Sequence, residues 1–196
     1  MTAPTLSMRA AREQRVFRTL LNCMARPGLV GSIGSQPGDG RFGAAIALLE
    51  CVLDHEVSFA VTPTEPTVVS ALLRSTGSRS VSVDRADYIL AWASGISVAI
   101  EEAKLGTFEY PERSGTVIVL VDEISATHSA GECLTLSGPG IRDSTDVWVT
   151  GFNSDLRDQL VARNAGAPIG IDAILIAPGG FLTCLPRYTR IVSFGV

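Results

Sequence analysis

The stretch Leu134-Thr135-Leu136-Ser137-Gly138-Pro139-Gly140-Ile141 combines a strand pattern with a rigid turn. Leucine alternates with a hydroxyl side chain over its first four residues, as in a strand that buries one face. The two glycines permit backbone conformations that a side chain forbids, and Pro139 cannot donate a ladder hydrogen bond. The pattern therefore predicts a strand that ends in a tight turn, with the next strand at residues 147–149.

A glycine turn after a strand is also typical of phosphate-binding loops, in which free backbone N–H groups attract an anion. The glycine spacing here fits neither of the two common phosphate-loop motifs. The residues that follow, from Arg142 to Asp146, are polar and turn-forming where a phosphate loop would begin a helix. We therefore interpret the stretch as a rigid turn between two strands.

Length and composition indicate one domain over residues 1–196, large enough to bury a core of its own. Hydrophobic residues make up 46% of the chain and charged residues 18%, and the net charge is -4. An acidic balance argues against nucleic acid and anionic membranes as partners.

The N-terminal residues lack the continuous apolar core of a signal peptide, and no apolar run reaches the length of a membrane span. We therefore expect a cytoplasmic protein.

Few residues are available for covalent or metal chemistry. Lys104 is the only lysine, and its Glu101-Glu102-Ala103-Lys104 context predicts a solvated helix end rather than a cofactor-binding amine. The other candidates, Cys23, Cys51, Cys133, Cys184, His55 and His128, show no metal-ligand spacing. We therefore expect no metal, no cofactor and free, mostly buried thiols.

Helical and strand patterns alternate along the chain. Helices are predicted over residues 8–25, 42–54, 66–76, 94–104 and 153–164, and strands over 29–33, 57–61, 81–83, 88–92, 116–121, 174–176 and 181–185. The last two strands form a hairpin around Pro178-Gly179-Gly180. This order predicts an α/β fold, a single layered domain whose mixed sheet is flanked by helices and is at least partly parallel.

The first predicted helix is amphipathic. Its apolar stripe comprises Phe17, Leu20, Leu21 and Met24, and its polar side comprises Arg12, Arg15, Arg18 and Asn22. The helix is expected to end at Arg26-Pro27-Gly28, where proline disfavours further helix and glycine supplies the cap.

Two groups of acidic residues are candidates for acid–base chemistry. Glu109 and Glu112 lie in a polar loop, but no base or histidine partner accompanies them, so a solvated loop is favoured. Asp172 is the one acid in an apolar run, and a half-buried carboxylate needs a partner. We favour a structural pair between Asp172 and an arginine such as Arg187 over a ligand contact.

The order of motifs along nearly the whole chain resembles the PhnH family, a subunit of the bacterial carbon–phosphorus (C–P) lyase system. The segments that carry the resemblance are 17–21, 24–28, 53–56, 106–107, 110–116, 136–141, 168–172 and 185–187. The resemblance implies a fold like the large domain of pyridoxal-phosphate transferases without the cofactor. It also implies a homodimer that associates with the lyase core subunits PhnG, PhnI and PhnJ.

The assembly that the resemblance implies displaces adenine from ATP with a phosphonate such as methylphosphonate, which gives a ribose 1-phosphonate 5-triphosphate before the C–P bond is cleaved. No catalytic residue is carried over to this chain, so we expect a subunit that is non-catalytic by itself. The alternative is a free-standing α/β enzyme for a phosphorylated metabolite, with Arg142 or Arg187 as the anion clamp and Glu109 or Asp172 as the proton carrier. A third hypothesis is a scaffold that only organises its partners.

Overall fold

The computed structural model describes residues 8–35 and 40–192, with side chains from residue 10 onward. The helices in this part of the chain are α1 (Met8–Ala25), α2 (Gly43–Val52), α3 (Pro66–Thr76), α4 (Gly95–Glu102) and α5 (Ser154–Arg163). The strands are β1 (Gly31–Ser32), β2 (Ser58–Thr62), β3 (Arg79–Ser80), β4 (Tyr88–Ala91), β5 (Thr116–Leu120), β6 (Glu123–Ser125), β7 (Glu132–Ser137), β8 (Thr145–Thr150), β9 (Asp172–Ile176), β10 (Phe181–Leu185) and β11 (Arg190–Val192).

The central sheet has seven strands in the order β1-β10-β9-β5-β4-β2-β3. Neighbours from β9 to β3 run parallel, whereas β9, β10 and β1 pair antiparallel. The predicted hairpin is confirmed, since Leu182 pairs with Ile176 and Leu185 with Ala173. The fold is therefore α/β with a mixed sheet flanked by helices, as the alternation of patterns predicted.

Side chains alternate between the two faces of the central sheet, and each face builds its own core. In β5, Ile118 belongs to the core beneath α1, α2 and α3. Its neighbours Val117 and Val119 belong to the opposite core, beneath α4 and α5. Because both faces are covered, the parallel strands are nearly continuous in apolar residues.

A second sheet covers part of the face that carries α4 and α5. It has four antiparallel strands in the order β11-β7-β8-β6. Leu134 and Leu136 of β7 are fully buried, and they pack with Val147 and Val149 of β8. The alternation that predicted β7 is thus confirmed, and the turn from Gly138 to Ile141 joins two paired strands. The alternation of residues does not predict that these strands form a sheet of their own.

Two local predictions were wrong. Residues 81–83 are not a strand: β3 ends at Ser80, and Val83–Arg85 forms a 3₁₀ turn. Two valines that alternate with one serine are too short a pattern to distinguish a strand from a 3₁₀ turn.

In α1, Phe17 and Leu21 lie on the solvent side, with 45% and 51% of their surface exposed. Of the predicted stripe, Leu20 is buried and Met24 is partly buried. The buried side is completed by Val16 and Cys23, so it lies about a quarter-turn away from the predicted one.

No described helix is both long enough and apolar enough to cross a membrane. The assignment of residues 1–196 to one domain stays a prediction.

Candidate functional site

Arg187 and Asp172 form the most heavily hydrogen-bonded polar cluster of the described residues. Asp172 opens β9 and Arg187 lies two residues after the end of β10, so the antiparallel pairing of these strands brings the two residues together. The Arg187 Nη2 atom lies 2.7 Å from Asp172 Oδ2, and Nε lies 3.3 Å from Oδ1. The backbone N–H of Arg187 also donates to Oδ1 at 2.9 Å. Only 10% of the arginine side chain and 18% of the aspartate side chain are exposed.

The same guanidinium holds the loop that precedes β5. Its Nη1 donates to the backbone oxygen of Pro111 at 2.6 Å, and its Nη2 donates to the hydroxyl of the buried Ser114. All three nitrogens of the Arg187 guanidinium therefore have protein acceptors. Three segments that are far apart in the sequence, around residues 111–114, 172 and 187, meet at this one side chain.

A groove of about 430 Å³ lies beside this cluster. Its wall is formed by Leu160, Val161, Asn164, Ala165, Ala167, Arg187, Tyr188, Thr189, Arg190 and Ile191. Asn164 is occupied with the chain itself, because its side-chain amide accepts from the N–H of Ile171 and donates to the oxygen of the same residue. Arg190 is exposed and forms no ion pair with another residue of the described part, so its guanidinium is free to meet an anion.

Arg142 lies apart from that groove. It is exposed in the turn between β7 and β8, and it is not among the residues of the groove wall. The turn itself is a packing junction rather than an open loop. A Cβ atom at Gly140 would lie 2.3 Å from the backbone oxygen of Ala25, and one at Gly138 would lie 2.9 Å from that of Tyr188. Glycine is required here because the turn lies against the end of α1 on one side and the segment before β11 on the other.

Glu109 and Glu112 are both exposed, and neither forms a hydrogen bond to another described residue. No group of three or more histidine, cysteine or carboxylate residues within residues 8–35 and 40–192 is arranged to hold a metal ion. The four cysteines are free thiols, of which Cys23 and Cys184 are buried.

Lys104 does not lie at a solvated helix end, so that prediction was wrong. It forms a salt bridge with Asp87 at 2.5 Å, and only 27% of its side chain is exposed. Asp87 also accepts from the N–H and the hydroxyl of Ser58, at 2.7 and 2.6 Å. Burial by itself would raise the pKa of Asp87, but the hydrogen bonds from Lys104 and Ser58 outweigh it and hold the pKa below its usual value. The acidic partner lies 17 residues earlier, where local sequence gives no signal of the pairing.

Parallel α/β sheets commonly bind ligands where two neighbouring strands send their helices to opposite faces. Here that point lies between β2, which leads into α3, and β4, which leads into α4. The backbones nearly touch there: a Cβ atom at Gly95 would lie 2.2 Å from the oxygen of Thr62. Ala93 adopts a left-handed backbone conformation with φ 49°, and the Trp92 ring packs edge-on against Phe42 at 4.9 Å. Protein therefore occupies the space between the end of β2 and the start of α4, whereas a groove of about 410 Å³ borders Ala93 and Ile96 on the face that carries the second sheet.

The family of this chain follows from its similarity to known proteins. Residues 4–192 match the family model of the bacterial phosphonate metabolism protein PhnH. The alpha-D-ribose 1-methylphosphonate 5-triphosphate synthase subunit PhnH of Rhizobium meliloti (strain 1021) is 30% identical over 185 residues, which cover 91% of this chain and 89% of the relative. A putative C-P lyase subunit protein, HtxG of Stutzerimonas stutzeri, is 32% identical over 184 residues, which cover 93% and 87%. The match runs nearly from end to end, and the chain belongs to the PhnH family of bacterial phosphonate metabolism proteins.

Proposed function

We propose that this chain is a subunit of the C–P lyase system and is non-catalytic by itself. In this role it supports the formation of a ribose 1-phosphonate 5-triphosphate from ATP and an alkylphosphonate such as methylphosphonate. The observation that carries the proposal is the match over residues 4–192, together with two relatives of nearly equal length that are named as subunits.

Two internal ion pairs support a subunit role. Two of the side chains that a free-standing enzyme would use, an anion clamp and an amine, are engaged inside this chain: Arg187 binds Asp172, and Lys104 binds Asp87. The other candidate clamp, Arg142, is exposed and lies apart from the groove. These pairs fix loops and strand ends, and so define the shape of the molecule. A rigid body of defined shape is what a subunit contributes to a site that it shares with other chains.

The predicted partners belong to the same proposal. They are a second copy of this chain and the lyase core subunits PhnG, PhnI and PhnJ, in the cytoplasm. The likeness of the fold to the large domain of pyridoxal-phosphate transferases without the cofactor is also part of it. It is supported by the partly parallel sheet with both faces covered and by the engagement of the single lysine with Asp87.

A gene deletion tests the biological role. A strain without this chain should fail to grow with methylphosphonate as the sole phosphorus source, should grow normally on phosphate, and should recover when the gene is returned. Unimpaired growth of the deletion strain on methylphosphonate would refute the proposal.

Assembly is tested by co-expression with PhnG, PhnI and PhnJ, followed by affinity purification and size-exclusion chromatography with light scattering. Stoichiometric co-elution is expected. If the chain elutes alone under all conditions, the subunit role is excluded, and the mass of the separate species reports whether the chain is a dimer.

The groove beside Arg187 favours a second candidate function, the binding of a phosphorylated metabolite. Arg190, Tyr188 and Thr189 line this groove with hydrogen-bond donors suited to a phosphate or phosphonate oxygen. Calorimetric titration with methylphosphonate and with tripolyphosphate is the test, using Arg190→Ala for the groove and Arg142→Ala for the separate turn. A loss of affinity in Arg190→Ala supports an anion site in the groove, and unchanged affinity in both variants rejects it.

A further inference from the structure

The solvent side of α1 carries an exposed patch of two large apolar residues and two arginines, which we name the α1 patch: Arg15, Phe17, Arg18 and Leu21. Phe17 and Leu21 are one helical turn apart, so their side chains are neighbours on the surface. Arg18 is three residues before Leu21, and Arg15 is three residues before Arg18, so the two arginines flank the apolar pair on one side. Single exposed apolar residues are ordinary, whereas an aromatic residue and a leucine side by side on one face form a contiguous apolar surface.

The helix that presents this patch is fixed in place. Its opposite side buries Val16, Leu20 and Cys23 against the central sheet, and Cys23 directs its thiol toward the backbone oxygen of Leu182 in β10. The patch is therefore held on a packed element and needs no rearrangement before it meets a partner. Such preorganisation lowers the entropy that binding would otherwise cost.

The composition of the patch is that of a protein interface. Aromatic residues and arginine are enriched in interfaces and lysine is depleted, and the α1 sequence contains four arginines and no lysine. Neither Arg15 nor Arg18 forms an ion pair with another residue of the described ranges. Both guanidinium groups are thus available to carboxylates of another chain.

The charge of α1 indicates which kind of partner chain can bind the α1 patch. The α1 helix contains one acidic residue, Glu13, against its four arginines, although the whole protein has a net charge of -4. A symmetric dimer through this helix would place the arginines of one copy beside those of the other, which is unfavourable. A head-to-tail contact with the acidic end of α4, at Glu101 and Glu102, would be heterologous and would build a ring or a filament rather than the proposed dimer. The charge pattern therefore favours a different protein.

We infer that the α1 patch is the docking surface for another subunit of the complex, one that presents an apolar surface flanked by carboxylates. This inference rests on the proposed function and deepens it by naming the surface and the chemistry of the partner. Phe17 and Leu21 supply the apolar contact, and Arg15 and Arg18 pair with the carboxylates and set the orientation.

The test compares three double variants in the co-purification with PhnG, PhnI and PhnJ. Phe17→Ala/Leu21→Ala removes the apolar contact, and Arg15→Glu/Arg18→Glu reverses the charge. The matched control is Leu73→Ala/Arg74→Glu on α3, where Leu73 is 42% exposed and is followed by an exposed arginine. All six positions are at the surface, and thermal unfolding confirms that each variant is folded.

Both α1 variants should bind the partner at least about ten-fold more weakly than the unchanged chain, and the control should bind equally well. Binding of the unchanged chain should also weaken as salt is raised, because the arginine contacts are screened.

If the unchanged chain binds the partner and both α1 variants bind it equally well, this inference fails while the subunit role stands. If the unchanged chain binds none of the three subunits, the subunit role fails as well. If the α1 variants instead convert a dimer into monomers, the patch is a contact between copies and the inference is overturned.

Discussion

Arg187 accounts for three of the hydrogen bonds to the Asp172 carboxylate, one from its backbone N–H and two from its guanidinium. The carboxylate is mostly buried, and the remaining guanidinium donors are directed at Pro111 and Ser114. This pair is therefore a junction of strands and loop rather than an ion pair on the surface.

Arg187→Ala should lower the free energy of unfolding by about 3 kcal/mol, because it leaves a buried carboxylate without its charge partner. Urea denaturation measures this change. Arg142→Ala is the control, since Arg142 is exposed, and its effect should stay within about 0.5 kcal/mol. Equal stabilities of the two variants would show that the Asp172 carboxylate finds other donors.

Gly95→Ala should destabilise the protein by about 3 kcal/mol, at the upper end of the overpacking range, because the added methyl group would lie 2.2 Å from a backbone oxygen that cannot rotate away. Gly166→Ala is the matched control, because a Cβ atom at Gly166 meets nothing within 4 Å. Thermal unfolding of both variants measures the difference. A Gly95→Ala protein as stable as the control would mean that β2 and α4 separate easily.

The pairing of Asp87 with Lys104 should make stability depend on pH in the acid range. Because the pKa of Asp87 is lower in the folded protein than in the unfolded chain, its contribution is present above the unfolded value of about 4 and is lost as the pH falls through the folded value. Lys104→Met should therefore destabilise the protein by about 1 kcal/mol at pH 7 and by less at pH 3.

The control for the Lys104 variant is Arg79→Met, which removes an exposed cation that makes no ion pair with the rest of the described chain. Its effect on unfolding should be small at both pH values. A Lys104→Met effect that is constant from pH 7 to pH 3 would contradict the assignment of the acid dependence to Asp87.

Thiol labelling should separate the cysteines by burial. Burial raises the pKa of Cys184 well above its usual value, and only the thiolate is the reactive form, so this residue should label only after unfolding. Cys133, on the outer side of β7, should label in the native protein, although desolvation and nearby Asp146 raise its pKa too. Mass spectrometry after a short exposure to iodoacetamide at pH 8 measures both. Label on native Cys184 would reveal an opening of the hairpin.

Much of the fold could be predicted because its signals are local. The bounds of α3 follow from Pro66 at its start and Gly77 after its end, where φ is 71°, and the structure has the helix over the predicted residues, Pro66–Thr76. The pairing of strands that are far apart in the sequence has no such local signal. Strands β6 and β11 are only three residues each, and they exist because β8 and β7 offer them free edges.

In the candidate site, too, local features could be predicted from the sequence and long-range contacts could not. An acid embedded in the apolar run at Asp172 signalled its need for a partner, and that signal is local. The contacts of Arg187 with Pro111 and Ser114 depend on how β5, β9 and β10 are ordered in the sheet, which residue patterns do not reveal. In α1, periodicity predicted one apolar stripe, whereas the buried side also includes Val16 and Cys23 and leaves Phe17 and Leu21 exposed. Only packing against β10 decides between Val16 and Phe17, and that choice creates the exposed patch.

The junction at Arg187 has a consequence for biosynthesis. During translation, Pro111 and Ser114 leave the ribosome more than seventy residues before the side chain that holds them, and the Asp172 carboxylate also precedes it. The loop before β5 therefore lacks this anchor until β9 and β10 have been made. In a chain truncated before Arg187, the Asp172 carboxylate would lack its charge partner, and we expect the loop to be cleaved more readily by an added protease.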